Sequence, residues 1–261
     1  MHQLRLFFTA LQFFTRLPIP RWVGFEPAWL HQSSRYFPLV GVVVAAIAAG
    51  VYAAAALALP ASVAVLLSTA ASIYATGAFH EDGFADTCDG LGGGVTRERV
   101  LEIMKDSRIG AYGAIGIILM LAVKCAALAQ LPPLAAVGAL FAAHPASRLM
   151  AAALIWRMEY ARSEGKSKPL AQQMSTGEFL LAALGALLPL LAVGAAGWLA
   201  WQVLAIGVLA MALSAAWLAR KFARRLGGYT GDCLGAVQQL TEAVFYLCAA
   251  SGAGSAAWNW S

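Results

Sequence analysis

The sequence predicts an all-α fold, a polytopic integral-membrane helical bundle of about six to seven transmembrane helices with an N-terminal interfacial helix. Three observations predict it. Hydrophobic residues make up 61% of the chain and charged residues 12%, against roughly a quarter charged in soluble domains. The mean hydropathy is +0.70. Several uncharged runs reach the length that crosses a bilayer, and the connections between them alternate between charged and uncharged. The 261 residues suit one membrane-embedded catalytic domain, 1–261, rather than two domains.

Residues 4–14 are apolar apart from Arg5, Thr9 and Gln12 and read as an amphipathic helix at the membrane surface. The following Phe-Thr-Arg-Leu-Pro-Ile-Pro breaks it, because proline forces the preceding residue to extend. Residues 37–59 form a first span, and Pro60 opens a tight turn. Residues 63–79 form a second span, which delivers His80 to the interface. Residues 111–129 and 134–156 are a hairpin joined at Pro132-Pro133, and 179–196 and 198–219 are another joined at Gly197. The apolar segment 236–250 either spans or is re-entrant. The C-terminal Trp258 and Trp260 suit an interface. No cleavable signal peptide is expected, since the first apolar run is short and broken by Arg16, Pro18 and Pro20.

The charges check this topology. The turns at Pro60, Pro132 and Gly197 carry none, whereas the N-terminal segment and the loops after Phe79, Trp156 and Ala219 hold 16 of the 18 Lys and Arg. The loop after Trp156 includes Arg162, Lys166 and Lys168. By the positive-inside rule all the charged loops face the cytoplasm. The net charge of +5 is spread over these loops, so no nucleic-acid partner is expected. Cys88, Cys125, Cys233 and Cys248 show no metal-ligand or redox spacing and read as reduced thiols.

Residues 80–113 concentrate the polar chemistry. Seven of the 13 acidic residues lie here: Glu81, Asp82, Asp86, Asp89, Glu98, Glu102 and Asp106. Asp82, Asp86 and Asp89, at i, i+4 and i+7, would share one helix face. Close carboxylates repel unless a divalent cation joins them, and Mg2+ takes few protein carboxylates while leaving positions for water and phosphate. The glycines Gly90, Gly92, Gly93 and Gly94 would let backbone amides approach an anion. Thr96 would cap a helix starting near Arg97, and Glu98 and Glu102 would pair with neighbouring arginines. Lys105 and Arg108 flank Asp106-Ser107. Carboxylates for metal, with amides and bases for phosphate, are what phosphoryl transfer requires.

The late stretch Gly-Gly-Tyr-Thr-Gly-Asp-Cys-Leu-Gly-Ala repeats the logic. Gly227, Gly228 and Gly231 permit close backbone approach, Asp232 offers a carboxylate, and Arg224 and Arg225 offer phosphate contacts. Two bases fall within spans. Lys124 reads as an interfacial lysine that snorkels to the outer face. Arg148 lies roughly 12 Å of helix from the cytoplasmic end of its span, at 1.5 Å per residue, after a Pro145 kink, and is placed at the acidic site. Gln238, Gln239 and Glu242 form a polar stripe that should face the bundle interior.

The stretch His-Glu-Asp-Gly-Phe-Ala-Asp-Thr-Cys-Asp-Gly-Leu-Gly-Gly-Gly with the later Ile-Met-Lys-Asp-Ser-Arg-Ile-Gly-Ala-Tyr-Gly resembles the signature of the cobalamin synthase family, the adenosylcobinamide-GDP ribazoletransferases. Phe-Phe-Thr-Arg-Leu-Pro-Ile-Pro and the late glycine motif match the same family, so the resemblance covers nearly the full length. It implies an enzyme that joins adenosylcobinamide-GDP to alpha-ribazole, or its 5'-phosphate, releasing GMP. It implies Mg2+ and a bacterial cytoplasmic (inner) membrane location with the site facing the cytoplasm. Expected partners are the two substrates, the lipid bilayer, and a second copy of the chain or other cobalamin-pathway enzymes. The expected catalytic residues are Asp82, Asp86, Asp89, Asp106 and Arg108. Arg16, His80, Gly92, Gly93, Lys105, Ser107, Arg148, Gly228, Thr230, Gly231 and Glu242 would bind substrate, and Asp82, Asp86, Asp89 and Asp232 the metal. Two other readings are a phosphotransferase of the CDP-alcohol type, whose DxxDGxxAR spacing is not met, and a cation-coupled transporter, which would place its acids near the midplane.

Overall fold

The computed structural model describes residues 1–161 and 174–255; Arg162, Lys166, Lys168, Trp258 and Trp260 lie outside the described residues. The order of elements is α1 (His2–Phe14), α2 (Pro27–Ser33), α3 (Phe37–Ala56), α4 (Ala61–Thr76), α5 (Phe79–Gly93), α6 (Arg97–Ile103), α7 (Ala111–Ala129), α8 (Pro133–Arg157), α9 (Thr176–Ala195), α10 (Trp201–Leu226) and α11 (Gly231–Ser255). Among the described residues, six helical segments are long and apolar enough to cross a bilayer: 27–56, 111–129, 133–157, 176–195, 201–226 and 231–252. Helices α4 and α5 satisfy the same test only together, bent by 90° at their junction, as a broken span or a re-entrant loop; counted as one span they bring the number to seven. The segment 236–250, left open between spanning and re-entrant, is part of the continuous α11.

The break is local chemistry. Gly77 and Ala78 are both left-handed, at φ of 64° and 58°. The Ala78 amide returns to the Ile73 carbonyl at 2.9 Å and the Gly77 amide to the Tyr74 carbonyl at 3.2 Å, which is the Schellman way of closing a helix. Glycine adopts this conformation freely, whereas Ala78 carries a steric cost of about 1–2 kcal/mol. The second span is therefore shorter than 63–79, and His80 lies inside α5, buried, rather than at an exposed border. Arg16 covers the break: its amide donates to the Ala75 carbonyl at 2.8 Å, and a Cβ on Gly77 would stand 2.7 Å from its Nε.

Small residues set the closest helix approaches. A Cβ on Gly41 of α3 would lie 2.6 Å from the His144 carbonyl of α8, next to Pro145 inside that helix. On α5, a Cβ on Gly83 would lie 3.0 Å from the Asp232 backbone, and on α11 one on Gly235 would lie 3.0 Å from the His80 carbonyl. Backbone thus meets backbone where α5 crosses α11, the packing that small residues permit inside membranes.

The core has two apolar layers, one including Phe14, Phe37, Phe222 and Val237, the other Tyr52, Leu140, Met211 and Phe245. Along α8 and α11 a polar layer separates them, comprising His144, Ser147, Arg148, Gln238, Gln239 and Glu242, all buried. The expected interior stripe on α11 is present. The outward residues of α7, α9 and α10, such as Ile118, Leu188 and Leu209, are exposed and apolar, as lipid-facing surfaces require.

Candidate active site

Helix α5 carries Asp82, Asp86 and Asp89 at the expected helical spacing, and their burial is graded: Asp82 exposed, Asp86 half-buried, Asp89 buried. Asp89 has a second task. Its Oδ2 accepts the Gly110 amide at 2.7 Å and its Oδ1 the Gly113 amide at 2.8 Å. It thereby occupies two of the amides that the start of α7 leaves without intrahelical partners. The expectation of Asp89 as an equal third metal ligand thus meets a carboxylate already engaged by two backbone donors.

The glycine run also behaves differently from the anion-binding loop the sequence suggested. Helix α5 continues through Gly93, so most of these amides serve helical hydrogen bonds. The absent side chains admit neighbours instead: Gly92 lies against the Tyr112 ring, Gly90 against Met104, and Gly94 against Val100. Gly93 is exposed and has ordinary contact with Ile103. Thr96 caps α6 by accepting the Arg99 amide at 3.3 Å, and Arg99 pairs with Glu102 at 2.7 Å on the surface. Such an exposed pair contributes at most about 1 kcal/mol.

Beyond α6 an open cleft of about 700 Å3 is lined by Asp89, Gly93, Arg99, Lys105, Asp106, Arg108 and Tyr112, among others. Within it Arg108 grips Asp106 in parallel: Nη2 to Oδ2 at 2.7 Å, Nε to Oδ1 at 3.0 Å, and the Arg108 amide to Oδ1 at 3.1 Å. The hydrogen bonds and charge of Arg108 hold the Asp106 carboxyl down at about 2. Lys105 and Ser107 stand exposed beside this pair.

The late motif meets α5 from the other side. Asp232 lies in the first turn of α11, and its Oδ2 accepts the Thr230 hydroxyl at 3.3 Å. Thr230 also caps the helix by accepting the Cys233 amide at 3.3 Å. Through Gly83 the Asp232 backbone rests directly on α5, between Asp82 and Asp86 in sequence. Gly228 packs against the Glu159 carbonyl, where Tyr229 and Glu159 share a backbone hydrogen bond at 3.0 Å; it shapes the loop. Arg225, expected on phosphate, donates to the Gly94 carbonyl at 2.5 Å. Arg97 donates to the carbonyls of Leu226 at 2.7 Å and Ala161 at 2.9 Å. These bonds place the acidic stretch and the end of α10 on one side of the bundle, as the charge pattern predicted.

Further inward, His80 stacks on Phe14, with ring centroids 5.5 Å apart. A narrow cavity there is lined by Phe13, His80, Arg148, Gly231, Gly235 and Gln238, among others. Arg148 is buried and donates to the His144 carbonyl at 2.9 Å, while its Nε has no hydrogen-bond partner. Arg148 lines this cavity beside His80, and its hydrogen bond goes to the His144 carbonyl of its own helix rather than to a carboxylate of the acidic stretch.

Lys124 does not snorkel outward. It is buried, and its Nζ meets Glu242 Oε1 at 2.7 Å. Glu242 also pairs with His144 Nδ1 at 3.1 Å and accepts from Tyr246 at 3.1 Å. A charge at this depth is costly unless paired, and Glu242, one turn beyond Gln238, supplies the partner. Glu242 is thus committed to protein side chains rather than open to substrate.

The donor set suits a hard divalent cation. Asp82, Asp86 and Asp232 offer only carboxylate oxygen, and the tight contact at Gly83, where a Cβ would lie 3.0 Å from the Asp232 backbone, brings their two helices together. Among the described residues no group of three or more His, Cys, Asp or Glu side chains is arranged to hold a metal ion, so these carboxylates are not closed into a ligand cage.

A family model described as cobalamin-5-phosphate synthase matches residues 6–250. The chain is 51% identical over 255 residues, 95% of each chain, to a protein of Leptothrix cholodnii named adenosylcobinamide-GDP ribazoletransferase. Relatives of the same name from Shewanella frigidimarina and Ralstonia nicotianae are 45% and 48% identical, over 95% and 91% of this chain and 94% and 92% of theirs. No solved structure matches.

Proposed function

Because this chain belongs to the cobalamin-5-phosphate synthase family, we propose that it joins adenosylcobinamide-GDP to alpha-ribazole, or its 5'-phosphate, and releases GMP, at the side of the membrane bearing α5 and α6. A ribose hydroxyl oxygen forms a new bond to the phosphorus attached to cobinamide. The bond from that phosphorus to the oxygen of GMP breaks, and the hydroxyl proton is lost. The transferase activity follows from the family and its named relatives. The observation that supports the location is the joint of α5 and α11, where Asp232 rests on Gly83 beside Asp82 and Asp86.

We assign Mg2+ to Asp82, Asp86 and Asp232. When bound it supplies charge to offset the two phosphates of the donor. Asp89 closes α7 against α5 and so fixes the rim of the charged cleft. Lys105 and Arg108 provide positive charge on that rim, and Asp106 holds the Arg108 guanidinium in one orientation. His80, Arg148 and Phe14 close the inner end of the site, where exclusion of water strengthens electrostatic contacts. The basic residues on this side support a cytoplasmic orientation in a bacterial inner membrane. Incubating the purified protein with magnesium, adenosylcobinamide-GDP and alpha-ribazole tests the reading: GMP and a cobalamin product are expected in equal amounts, and the absence of both would refute it.

A further inference from the structure

Helix α5 is held toward both ends by side chains. At its far end Asp89 is fixed by the Gly110 and Gly113 amides. At its near end Glu81 accepts the Gln239 side-chain amide at 2.7 Å. The other Glu81 oxygen is buried without a partner, so Gln239 provides its hydrogen bond among the described residues. Gln239 accepts from Lys124 at 2.9 Å, and Lys124 is paired to Glu242 at 2.7 Å. Asp82 and Asp86 lie between the two anchors.

We propose that Gln239 and Lys124 are positioning residues for the transfer reaction: the chain of contacts from Glu242 through Lys124 and Gln239 to Glu81 sets the roll of α5, and so where Asp82 and Asp86 point. Gly83 and Gly235 give α5 and α11 a backbone-to-backbone crossing, and neither glycine has a side chain to stop rotation there. Directional hydrogen bonds do stop it, and in a buried setting each has a steep cost when broken. Gln239 and Glu242 are 2% and 1% exposed, so these bonds are shielded from bulk water. A glutamine suits the middle position because its amide accepts from the lysine on one side and donates to the carboxylate on the other.

The test uses the full-length protein in detergent. Gln239→Glu sets two carboxylates against each other and breaks the chain. Adding Glu81→Gln restores it with the donor reversed, since the residue at 81 then donates and the one at 239 still accepts from Lys124. Gln239→Met removes the link without adding charge and serves if Gln239→Glu does not fold. The structural readout is maleimide labelling of the native half-buried Cys88 on α5, resolved from Cys248 by mass spectrometry. The functional readout rests on the proposed reaction.

Gln239→Glu and Gln239→Met should lower kcat at least about tenfold, with substrate KM little changed, as expected for a lost buried bond. They should speed Cys88 labelling while leaving Cys248 unchanged. The double variant should return both readouts to within about threefold of wild type, a rescue that general destabilisation would not give. Near-normal kcat and labelling in the single variants, or a double variant no better than Gln239→Glu, would overturn the proposal. If the wild type makes no cobalamin product, the functional reading fails, and Cys88 labelling in the three variants decides this inference alone.

Discussion

The Gly110 amide donates to Asp89 Oδ2 at 2.7 Å, and with the Gly113 bond to Oδ1 it separates Asp89 from the other two aspartates of its helix face. Asp89→Asn would turn an amide nitrogen toward one of two backbone donors. The expected loss is about 1–3 kcal/mol, typical of a buried unsatisfied group, seen as a lower melting temperature in detergent. Asp82→Asn, at an exposed position, should leave melting unchanged. Equal melting temperatures for the two variants would contradict the division of roles.

The crossing of α5 and α11 should tolerate no added side chain at Gly235. A Cβ there would lie 3.0 Å from the His80 carbonyl and 3.3 Å from the Gly83 Cα, and neither backbone atom moves easily. Gly235→Ala should cost about 1–3 kcal/mol of stability and should reduce turnover. Gly50→Ala, where nothing lies within 4 Å, is the matched control and should be neutral by both measures.

The Asp106–Arg108 pair gives a pH prediction. The Asp106 carboxyl titrates at about 2 in the folded protein, below its ordinary value near 3.9. A depressed carboxyl contributes above its unfolded value and loses that contribution as pH falls through the folded one. The pair is therefore fully charged from about pH 5 upward. Asp106→Asn should lower turnover by a similar factor at pH 6 and pH 9, as pH-rate profiles of both proteins will show. A defect that vanishes at one end of this range would mean that another group governs the cleft.

The orientation can be read with single cysteines on a background lacking the native four. Cysteines at Val95 and Arg220, exposed on the side carrying α6 and the end of α10, should react with impermeant maleimide only after a cell is opened. A cysteine at Leu57, 89% exposed at the opposite turn, should react in intact spheroplasts. Val95 and Arg220 labelling from opposite sides would dismantle the single-site account.

Much of this was legible in the sequence for physical reasons. A bilayer demands long apolar helices with satisfied backbones, so span positions and the uncharged turns at Pro60, Pro132 and Gly197 could be read directly. The clustering of Asp82, Asp86 and Asp232 on one side followed from charge alternation. What could not be read depends on partners distant in the chain. Lys124 looked interfacial because nothing local reveals that Glu242, over a hundred residues later, would meet it. Asp89 looked like a ligand because its capping partners depend on how α7 returns. The glycine run suggested anion binding, but the Tyr112 ring and Met104 occupy the space it leaves. The sharp bend at Gly77-Ala78 was hidden because alanine rarely adopts left-handed backbone.

The central claim is that the carboxylates of α5 between the two anchors carry a magnesium-dependent transfer. The most direct measurement is GMP release from adenosylcobinamide-GDP and alpha-ribazole by Asp82→Asn and Asp86→Asn, at saturating magnesium, beside wild type and Glu98→Gln. Loss of one charge beside two phosphates should lower kcat by at least about a hundredfold, a magnitude typical of electrostatic groups in active sites. Melting temperatures should be unchanged, and Glu98→Gln should keep most activity. Near-normal turnover by both aspartate variants would contradict the account and return these carboxylates to the status of a solvated helix face.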